Sequence, residues 1–547
     1  MRSSRRNFLI QSGTALAAWS LIYASKTHAL DPDTYDVVVY GGVPCGIVSS
    51  IAAAREGLNV LLIEPTQHIG GLSTSGLNTA ETEHMLKWTI GGIALEFYTR
   101  MGKHYGANKP EFYFESSVAE KVCTEMLAEA KVNVLLGARV DKVVKDGKRI
   151  QSITLTNGKT VKANVFVDAG YEGDLMARAG VSHTAGRESR AEYNEDAAGV
   201  RFDKTTRKAA TVDENGKLLP GISGWAKDLK EGDAHPSPMN YNVRLTFTKS
   251  PEKRVPIPEP KQYERSRYRL LENWLKEKAS AKQGVKLSDL FDFYGRRNGK
   301  FEVNNKQNAV ISLGHFGGQL EYPNADYGTR DKIVADHWEY TLGLLHFVGQ
   351  EECVPENVRT EMKAWGLHKD EFKDNGNLPY QIYVREARRM KGAAVVTQKD
   401  VTEDRHKDDS IGFSSHFIDC HHVQRLAVSP TEFLNEGRIW RVGQAYQIPY
   451  RALTPKADEC ENLLVAGAAS FSHVAFCTYR LESVWMIGGH AAGLAAALAS
   501  KSNQAVQKVD VAALQEKLRA QKQVVDFVAG ELEKWHDGKG NGGYPEF

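Results

Sequence analysis

The first clear pattern of secondary structure in the chain consists of two short apolar runs with a helical stretch between them. Residues 37–40 form a continuous apolar run that ends at a glycine turn. Residues 47–56, rich in alanine and serine, fit a helix, and residues 60–63 form the second apolar run. The pattern predicts a βαβ unit with two buried parallel strands.

The later pattern predicts a fold that is interrupted and then resumed. Residues 117–131 fit an amphipathic helix, and residues 132–167 fit a small β-meander. Beyond residue 186, charged helical stretches alternate with Pro-rich loops, and nucleotide-fold character returns near residue 462. We therefore predict an α/β protein: a Rossmann-like domain with a parallel sheet and a meander, plus an inserted α+β substrate domain. The predicted boundaries are 34–185 and 436–505 for the first domain, 186–435 for the insertion, and 506–547 for a C-terminal helix and tail.

Composition narrows the class of protein. The chain has 547 residues, 41% hydrophobic and 25% charged, as in soluble globular proteins. Its 70 basic and 68 acidic residues give a net charge of +2, so it lacks the basic excess expected of a nucleic-acid-binding protein. The six cysteines include no CxxC pair, and on this spacing we predict no metal site.

The first 29 residues resemble an export signal. Arg5 and Arg6 precede Phe-Leu and a moderately apolar stretch that ends in Thr-His-Ala, a pattern typical of a twin-arginine signal peptide. A Sec signal or an uncleaved anchor is the alternative. We expect a periplasmic or secreted protein without a membrane span after cleavage, since no later segment has about 18 uninterrupted apolar residues.

The turn after the first apolar run has the features of a dinucleotide site. Its residues are Gly41, Gly42, Val43, Pro44, Cys45 and Gly46. Gly41 permits a tight turn, Gly46 permits close packing of helix on strand, and the helix N-terminus faces a pyrophosphate. Glu64 ends the second strand, where a carboxylate can accept both ribose hydroxyls. Val43 departs from the fingerprint, which has glycine at that position.

Two further strands favour FAD over NAD. Residues 165–170, which include Asp168, Ala169 and Gly170, form one strand and turn, and residues 462–467 form another that ends at Gly467. A helix over residues 479–500 follows, with small residues suited to close packing. A dinucleotide fold that closes after a long insertion suits FAD; the alternative is that the late helix is only core packing.

Together these motifs resemble the FAD-dependent oxidoreductases whose members often carry the label xanthan lyase, relatives of the glutathione-reductase-type flavoproteins. The matching stretches include VVVYGGVPCG, FVDAGYEGDL, YVREARRM and the segment from NLLVAGAASF to GLAAALA. The resemblance runs from about residue 36 to residue 500. It implies that Gly70 and Gly71 lie along the pyrophosphate and flavin, that the Val140 backbone meets adenine, that Asp168, Ala169 and Gly170 border the nucleotide, and that Arg480 lies beneath the flavin.

Candidate catalytic residues come from three segments. His473, between the last strand and its helix, is a candidate acid/base, or else a loop histidine that bonds backbone. Arg480 is expected to hold substrate or flavin, or to cap structure. Tyr383 and Arg385 lie on a helix-like stretch, where Arg385 and Arg389 would share a face that binds an anion or forms ion pairs with Glu386. His421 is a candidate substrate ligand.

These observations predict an exported FAD-dependent oxidoreductase. It would transfer a hydride between a small organic substrate and flavin, and would exchange electrons with a quinone, a carrier protein or oxygen. The alternatives are a lyase acting on an acidic glycan and a non-catalytic flavin-binding protein.

Overall fold

The first strands and helices build one side of a parallel sheet. The computed structural model describes residues 33–441 and 443–527, so the predicted signal peptide lies outside the described residues. The first strands are β1 (Thr34–Tyr40), β2 (Val60–Glu64), β3 (Asn133–Leu136), β4 (Val140–Asp146), β5 (Arg149–Leu155) and β6 (Thr160–Asp168). The first helices are α1 (Pro44–Arg55), α2 (Gly92–His104), α3 (Ser116–Glu129) and α4 (Asp174–Arg178).

Strand β6 connects the parallel sheet with the predicted meander. The sheet order is β3-β2-β1-β6-β5-β4, with β1, β2 and β3 parallel and β4, β5 and β6 antiparallel. The first half of β6 pairs with β5, and its second half runs parallel to β1. One face of β1 packs against α1 and the late helix Glu482–Ser502, and the other packs against the meander and α4, so residues 37–40 of β1 are buried. The βαβ unit and the meander are confirmed.

The middle of the chain forms an α+β region with its own antiparallel sheets. Its helices are α5 (Arg190–Tyr193), α6 (Arg269–Ser280), α7 (Tyr327–Gln350), α8 (Glu356–Ala364) and α9 (Gln398–Thr402). Its strands are β7 (His183–Ala185), β8 (Arg207–Lys208), β9 (Gly224–Trp225), β10 (Leu245–Thr248), β11 (Arg254–Val255), β12 (Phe291–Gly295), β13 (Phe301–Asn305), β14 (Gly366–His368), β15 (Arg388–Met390), β16 (Ser410–Ser414), β17 (Ile418–Cys420), β18 (Gln424–Ser429), β19 (Glu432–Glu436), β20 (Ile439–Arg441) and β21 (Tyr446–Pro449).

Two sheets dominate this region. One has five strands in the order β11-β14-β10-β13-β12, and the other has four in the order β8-β19-β18-β9. The fold class is confirmed, whereas the exact domain boundaries stay predictions.

The last described segment returns to the parallel sheet, as expected. Strand β22 (Leu463–Val465) pairs in parallel with β6, and it is followed by α10 (His473–Tyr479), α11 (Glu482–Ser502) and α12 (Val511–Ala520). Helix α11 packs directly on α1: a Cβ at Gly489 would lie 2.3 Å from the Cys45 carbonyl oxygen, and one at Gly493 would lie 2.2 Å from that of Ser49. The small residues of α11 therefore let two helix backbones touch.

Two local predictions differ from the structure. The late helix predicted over residues 479–500 is present as α11 but begins at Glu482, because the backbone turns at Arg480 and is extended at Leu481, and the preceding segment, predicted as a loop around His473, forms α10. The helix-like stretch around Tyr383 is instead irregular chain that leads into β15, which pairs with β7. In that extended chain Arg385 and Arg389 do not share a helix face.

Helix α11 is also the one helix of the described residues that is long and apolar enough to cross a membrane. It spans 21 residues, and 94% of its most apolar stretch is buried inside the protein. Burial on α1 accounts for its apolar composition.

Candidate functional site: a dinucleotide cradle and an arginine-rich cluster

The cradle begins where β1, β6 and β22 end side by side. Gly41 has a φ of +103°, and a Cβ there would lie 2.6 Å from the Gly170 nitrogen. A Cβ at Gly467 would lie 2.2 Å from the Gly170 carbonyl oxygen. Three strand ends thus meet through glycine backbone, as the carboxyl ends of parallel strands do at a nucleotide site.

Glu64 ties the glycine turn to the end of β2. Its carboxylate accepts hydrogen bonds from the Gly42 N–H (2.6 Å) and the Thr66 N–H (2.8 Å). Burial raises its pKa to about 7. Glu64 also lines a cavity of about 200 Å³ together with Gly41, Val43 and Gly170. The carboxylate is therefore placed at the cradle, where the sequence predicts a ribose contact.

The residues of the cradle fit the diphosphate of a dinucleotide. Helix α1 begins at Pro44 after Val43, and no side chain caps its N-terminus. The first N–H groups of a helix have no partner within it, so those of α1 are available to an anion. Val43 lines the cavity, and Cys45 is fully buried beneath it. Valine at the usual glycine position therefore leaves the cavity open.

The Gly70–Gly71 pair contacts the glycine turn that follows β1, whereas its contact with pyrophosphate and flavin stays a prediction. The Gly70 N–H donates to the Gly42 carbonyl at 2.7 Å. A Cβ at Gly71 would lie 3.0 Å from the Val43 Cβ. The loop after β2 therefore runs along the glycine turn.

Asp168 and Ala169 hold the turn after β6. The Asp168 carboxylate accepts from the Gly170 N–H (3.3 Å) and the Met176 N–H (2.7 Å), and the Ala169 N–H donates to the Tyr40 carbonyl (2.8 Å). Burial raises the Asp168 pKa to about 7. These two residues border the cradle by fixing its backbone.

The backbone of Val140 already has partners in this structure. Its N–H lies 3.4 Å from the Tyr40 hydroxyl, and its carbonyl accepts from the Tyr327 hydroxyl at 2.8 Å. Tyr327 begins α7 of the middle region. Adenine binding at Val140 stays a prediction, and it would require these hydroxyls to yield.

A second cluster gathers Tyr383, Arg385, His421 and Arg480 around Asp419. Arg480 donates to the Tyr383 hydroxyl (3.1 Å) and to the Asp419 carbonyl (2.7 Å). The Arg385 guanidinium lies 4.6 Å from the centre of the Tyr383 ring. All five side chains are at least nine-tenths buried. The structure thus brings together four of the five predicted catalytic residues, from three separate segments.

Arg385 is unusual among the buried cations of this cluster, because its hydrogen-bond acceptors are all neutral. It donates to the Asn240 carbonyl (2.5 Å) and to the side-chain oxygens of Asn242 and Asn305 (both 3.0 Å). Within the described residues, no carboxylate forms an ion pair with it, and its Nε has no hydrogen-bond partner. Burial, with Arg244 and Arg480 nearby, lowers its pKa to about 9. A buried cation without a counter-ion is costly, so this position is suited to an anionic ligand.

Asp419 and His421 complete the cluster, and they differ in charge: the carboxylate is ionised and the imidazole is neutral. Burial opposes ionisation of Asp419, yet its neighbours, among them Arg438 (2.8 Å), hold its pKa well below its usual range. Burial and Arg385 hold the pKa of His421 well below its ordinary value, so this imidazole is neutral. Its Nε2 lies 3.4 Å from Asp419 and its Nδ1 lies 2.6 Å from the Gln307 amide nitrogen.

His473 belongs to a separate cluster. Its Nδ1 lies 2.9 Å from the Glu386 carboxylate, and its Nε2 lies 3.3 Å from the Cys420 sulfur. Burial opposes ionisation of Glu386, but His473 and Arg389 lower its pKa below the ordinary value. Both ring nitrogens of His473 are thus engaged away from Tyr383, and its acid/base role stays a prediction.

Two of the described cysteines converge on a histidine, although the sequence contains no CxxC pair. The six cysteines are unpaired, but Cys420, Cys477 and His473 place their ligand atoms within 4.8 Å of one another. Cys477 follows His473 by one helical turn in α10, and that spacing was the available sequence signal.

The fold and the cradle define an α/β dinucleotide-binding flavoprotein, and sequence comparison agrees. Residues 36–518 match the family described as FAD dependent oxidoreductase. The chain therefore belongs to this family of FAD-dependent oxidoreductases, and its cofactor is FAD.

The similar proteins share only parts of the sequence. Digeranylgeranylglycerophospholipid reductase 1 of Methanococcoides burtonii is 24% identical over 27% of this chain and 41% of its own length. Digeranylgeranylglycerophospholipid reductase 2 of Methanopyrus kandleri is 30% identical over 22% and 32%. The chain thus spans less than half the length of these curated relatives.

Among solved structures, a geranylgeranyl bacteriochlorophyll reductase-like protein of Thermoplasma acidophilum covers 90% of this chain and 84% of its own, with 12% identity and a TM-score of 0.36. The L-proline dehydrogenase of P. horikoshii covers 35% and 64%, with 14% identity and a TM-score of 0.24.

Glu482, at the start of α11, gives a pH-dependent prediction. Its carboxyl accepts from the Tyr171 hydroxyl at 2.7 Å, and burial raises its pKa to about 8. The native state therefore binds a proton that the unfolded state releases above about pH 4.5, so stability falls as pH rises from there towards about 8. In urea unfolding at about pH 5 and about pH 8, Glu482→Gln should lose less stability than the wild type. Glu125→Gln, at an exposed position, should match the wild type; an unchanged decline in Glu482→Gln would contradict this assignment.

Proposed function

We propose that this protein is an exported FAD-dependent oxidoreductase that transfers a hydride between its flavin and a small organic substrate carrying an acidic group. The observation that carries the proposal is Arg385, a fully buried guanidinium without a carboxylate partner among the described residues. An incoming carboxylate would supply the missing counter-charge, and a guanidinium can bind it through two parallel hydrogen bonds.

Each residue around Arg385 has a role in this proposal. Arg480, held by the Asp419 carbonyl, provides a second cation. His421 is neutral, and because Gln307 and Asp419 engage its two ring nitrogens, it would position Asp419; a direct contact with substrate would require one of these two interactions to break. Burial raises the pKa of Tyr383 to about 12, which keeps its hydroxyl protonated and able to donate or relay a proton.

At the cradle, the turn from Gly41 to Gly46, the Gly70–Gly71 loop and Glu64 would hold the ADP half of FAD. Bound FAD supplies the hydride-accepting or hydride-donating chemistry. The protein then has to align the substrate, exclude water and move one proton.

The curated relatives are named as reductases of an isoprenoid phospholipid. A slot for a hydrocarbon chain would be lined by apolar side chains, whereas Arg244, Arg385, Arg480 and Asp419 surround Tyr383 here. The charged groups around Tyr383 favour a polar acid over an isoprenoid chain.

An anaerobic titration tests the chemistry. The flavin absorbance of the purified protein is followed while carboxylic acids and their matching amides are added, with reduction by dithionite as the control. We expect bleaching by an acid but not by its amide. Bleaching by amides alone would contradict the acidic-substrate proposal, and release of an unsaturated uronate from an acidic glycan without a change in the flavin would favour the lyase.

Export has its own test, because the electron partner depends on it. A protein outside the cytoplasm has no soluble nicotinamide pool, so a quinone, a carrier protein or oxygen would exchange its electrons. Lysines in place of Arg5 and Arg6 should retain the protein in the cytoplasm, as measured by cell fractionation. Unchanged periplasmic yield would point to a Sec signal instead.

A further inference from the structure

We propose that Cys420, Cys477 and His473 form a binding site for a thiophilic metal ion of the zinc class. The three residues are buried, with exposed fractions of 0%, 0% and 1%. Cys420 comes from β17, whereas His473 and Cys477 lie one turn apart on α10. Two elements thus present two sulfurs and one imidazole to a common point.

The distances suit a tetrahedral ion. With zinc bonds of about 2.3 Å to sulfur and about 2.0–2.1 Å to nitrogen, tetrahedral angles put sulfur about 3.6 Å from nitrogen and about 3.8 Å from sulfur. The Cys420 sulfur lies 3.3 Å from His473 Nε2, and all three ligand atoms lie within 4.8 Å of one another. The Cys420–His473 pair would have to open by about 0.3 Å to reach the tetrahedral distance.

Glu386 supplies the outer contact that metal-binding histidines usually have. Its carboxylate lies 2.9 Å and 3.0 Å from His473 Nδ1. With the proton on Nδ1, the Nε2 lone pair is directed at the cysteines, as in carboxylate–histidine–zinc arrangements. Arg389 in turn bonds both Glu386 and Glu188, and Glu188 accepts from the His473 backbone N–H. This network fixes the imidazole from the side opposite the sulfurs.

The charges and donor types also agree with the proposal. Two thiolates neutralise a divalent ion, and sulfur ligands favour zinc over calcium or magnesium. A disulfide between Cys420 and Cys477 is the competing outcome, but it needs neither the imidazole between them nor the carboxylate behind it. The ion would link β17 to α10. Because Asp419 and His421 are the sequence neighbours of Cys420, the same link would hold both in the arginine-rich cluster.

The test measures metal bound to the purified, flavin-loaded protein after incubation with Zn²⁺ and removal of the excess. We expect about one equivalent by mass spectrometry, and a more than tenfold loss in Cys420→Ser and in Cys477→Ser. Glu386→Gln, which keeps all three ligands, should weaken zinc binding about 10- to 100-fold. Cys460→Ser, at a buried free cysteine outside the cluster, should keep full occupancy.

A second measurement does not depend on variants that fold. Because both thiols are buried, alkylation is followed in urea near the unfolding midpoint, where zinc should protect two thiols of the wild-type protein and peptide mapping should place both at Cys420 and Cys477. Less than a tenth of an equivalent of zinc in the wild type, equal zinc in all variants, or a Cys420–Cys477 disulfide in the unreduced protein would each overturn the proposal.

Discussion

Replacing Gly46 with alanine is expected to give a colourless protein. A Cβ at Gly46 would lie 1.8 Å from the Gly41 carbonyl oxygen and 3.2 Å from the Ala169 Cβ. Both neighbours belong to the rigid strand ends of the cradle, so α1 would have to move away from β1. We expect more than a tenfold fall in bound flavin and a loss of about 1–3 kcal/mol in the free energy of unfolding.

The measurement is the ratio of flavin to protein absorbance after gel filtration, with urea unfolding in parallel. Gly284→Ala is the matched control, because a Cβ there meets nothing within 4 Å and the residue has no positive φ. It should retain both flavin and stability. Full flavin content in Gly46→Ala would show that the cofactor does not depend on this contact between helix and turn.

The features that the sequence predicts correctly depend on neighbours along the chain. The βαβ unit, the meander and the glycine turn each need only residues within one hairpin or one turn to be recognised. The closing strand is recognisable because residues 462–467 repeat the buried strand and glycine turn of the first unit. Such local signals also identify the candidate flavin site, since the contacts that build the cradle are mostly made by backbone.

The errors arise where partners distant in sequence decide the conformation. Arg385 and Arg389 are four residues apart, which suggests one helix face, but their partners lie in different directions. Arg385 bonds Asn240 and Asn242, whereas Arg389 bonds Glu188, and extended chain lets both be satisfied. The metal-like cluster was missed for the same reason: 53 residues separate Cys420 from His473.

The boundary at Arg480 has a similar cause. The sequence predicts a loop around His473 and one helix from residue 479, whereas the structure has α10 from His473 to Tyr479 and α11 from Glu482. In the structure Arg480 bonds the Asp419 carbonyl and the Tyr383 hydroxyl, and α10 ends where those contacts are made. A side-chain network that cannot be read from one segment thus sets the boundary between the two helices.

The second large effect is expected from Arg385→Met, which removes the charge but keeps an unbranched side chain. If Arg385 binds the acidic group of the substrate, its loss leaves that group buried without a partner. Removing one member of such a pair costs about 2–5 kcal/mol. The second-order rate constant for flavin reduction by the acid should therefore fall between about 30-fold and a few thousand-fold.

The pattern across variants and substrates separates a binding role from a structural one. Arg385→Lys should recover part of the rate, since lysine restores charge but not the paired hydrogen bonds. Arg425→Met removes another buried guanidinium, which stacks on Phe316 away from this cluster, and should leave the apparent KM for the acid unchanged. A misfolded site would lose bound flavin together with the rate of flavin reduction by the acid. A loss of that rate with flavin retained is the result expected from a guanidinium that lacks a carboxylate partner among the described residues, and equal rates for Arg385→Met and the wild type would remove the basis for an acidic substrate.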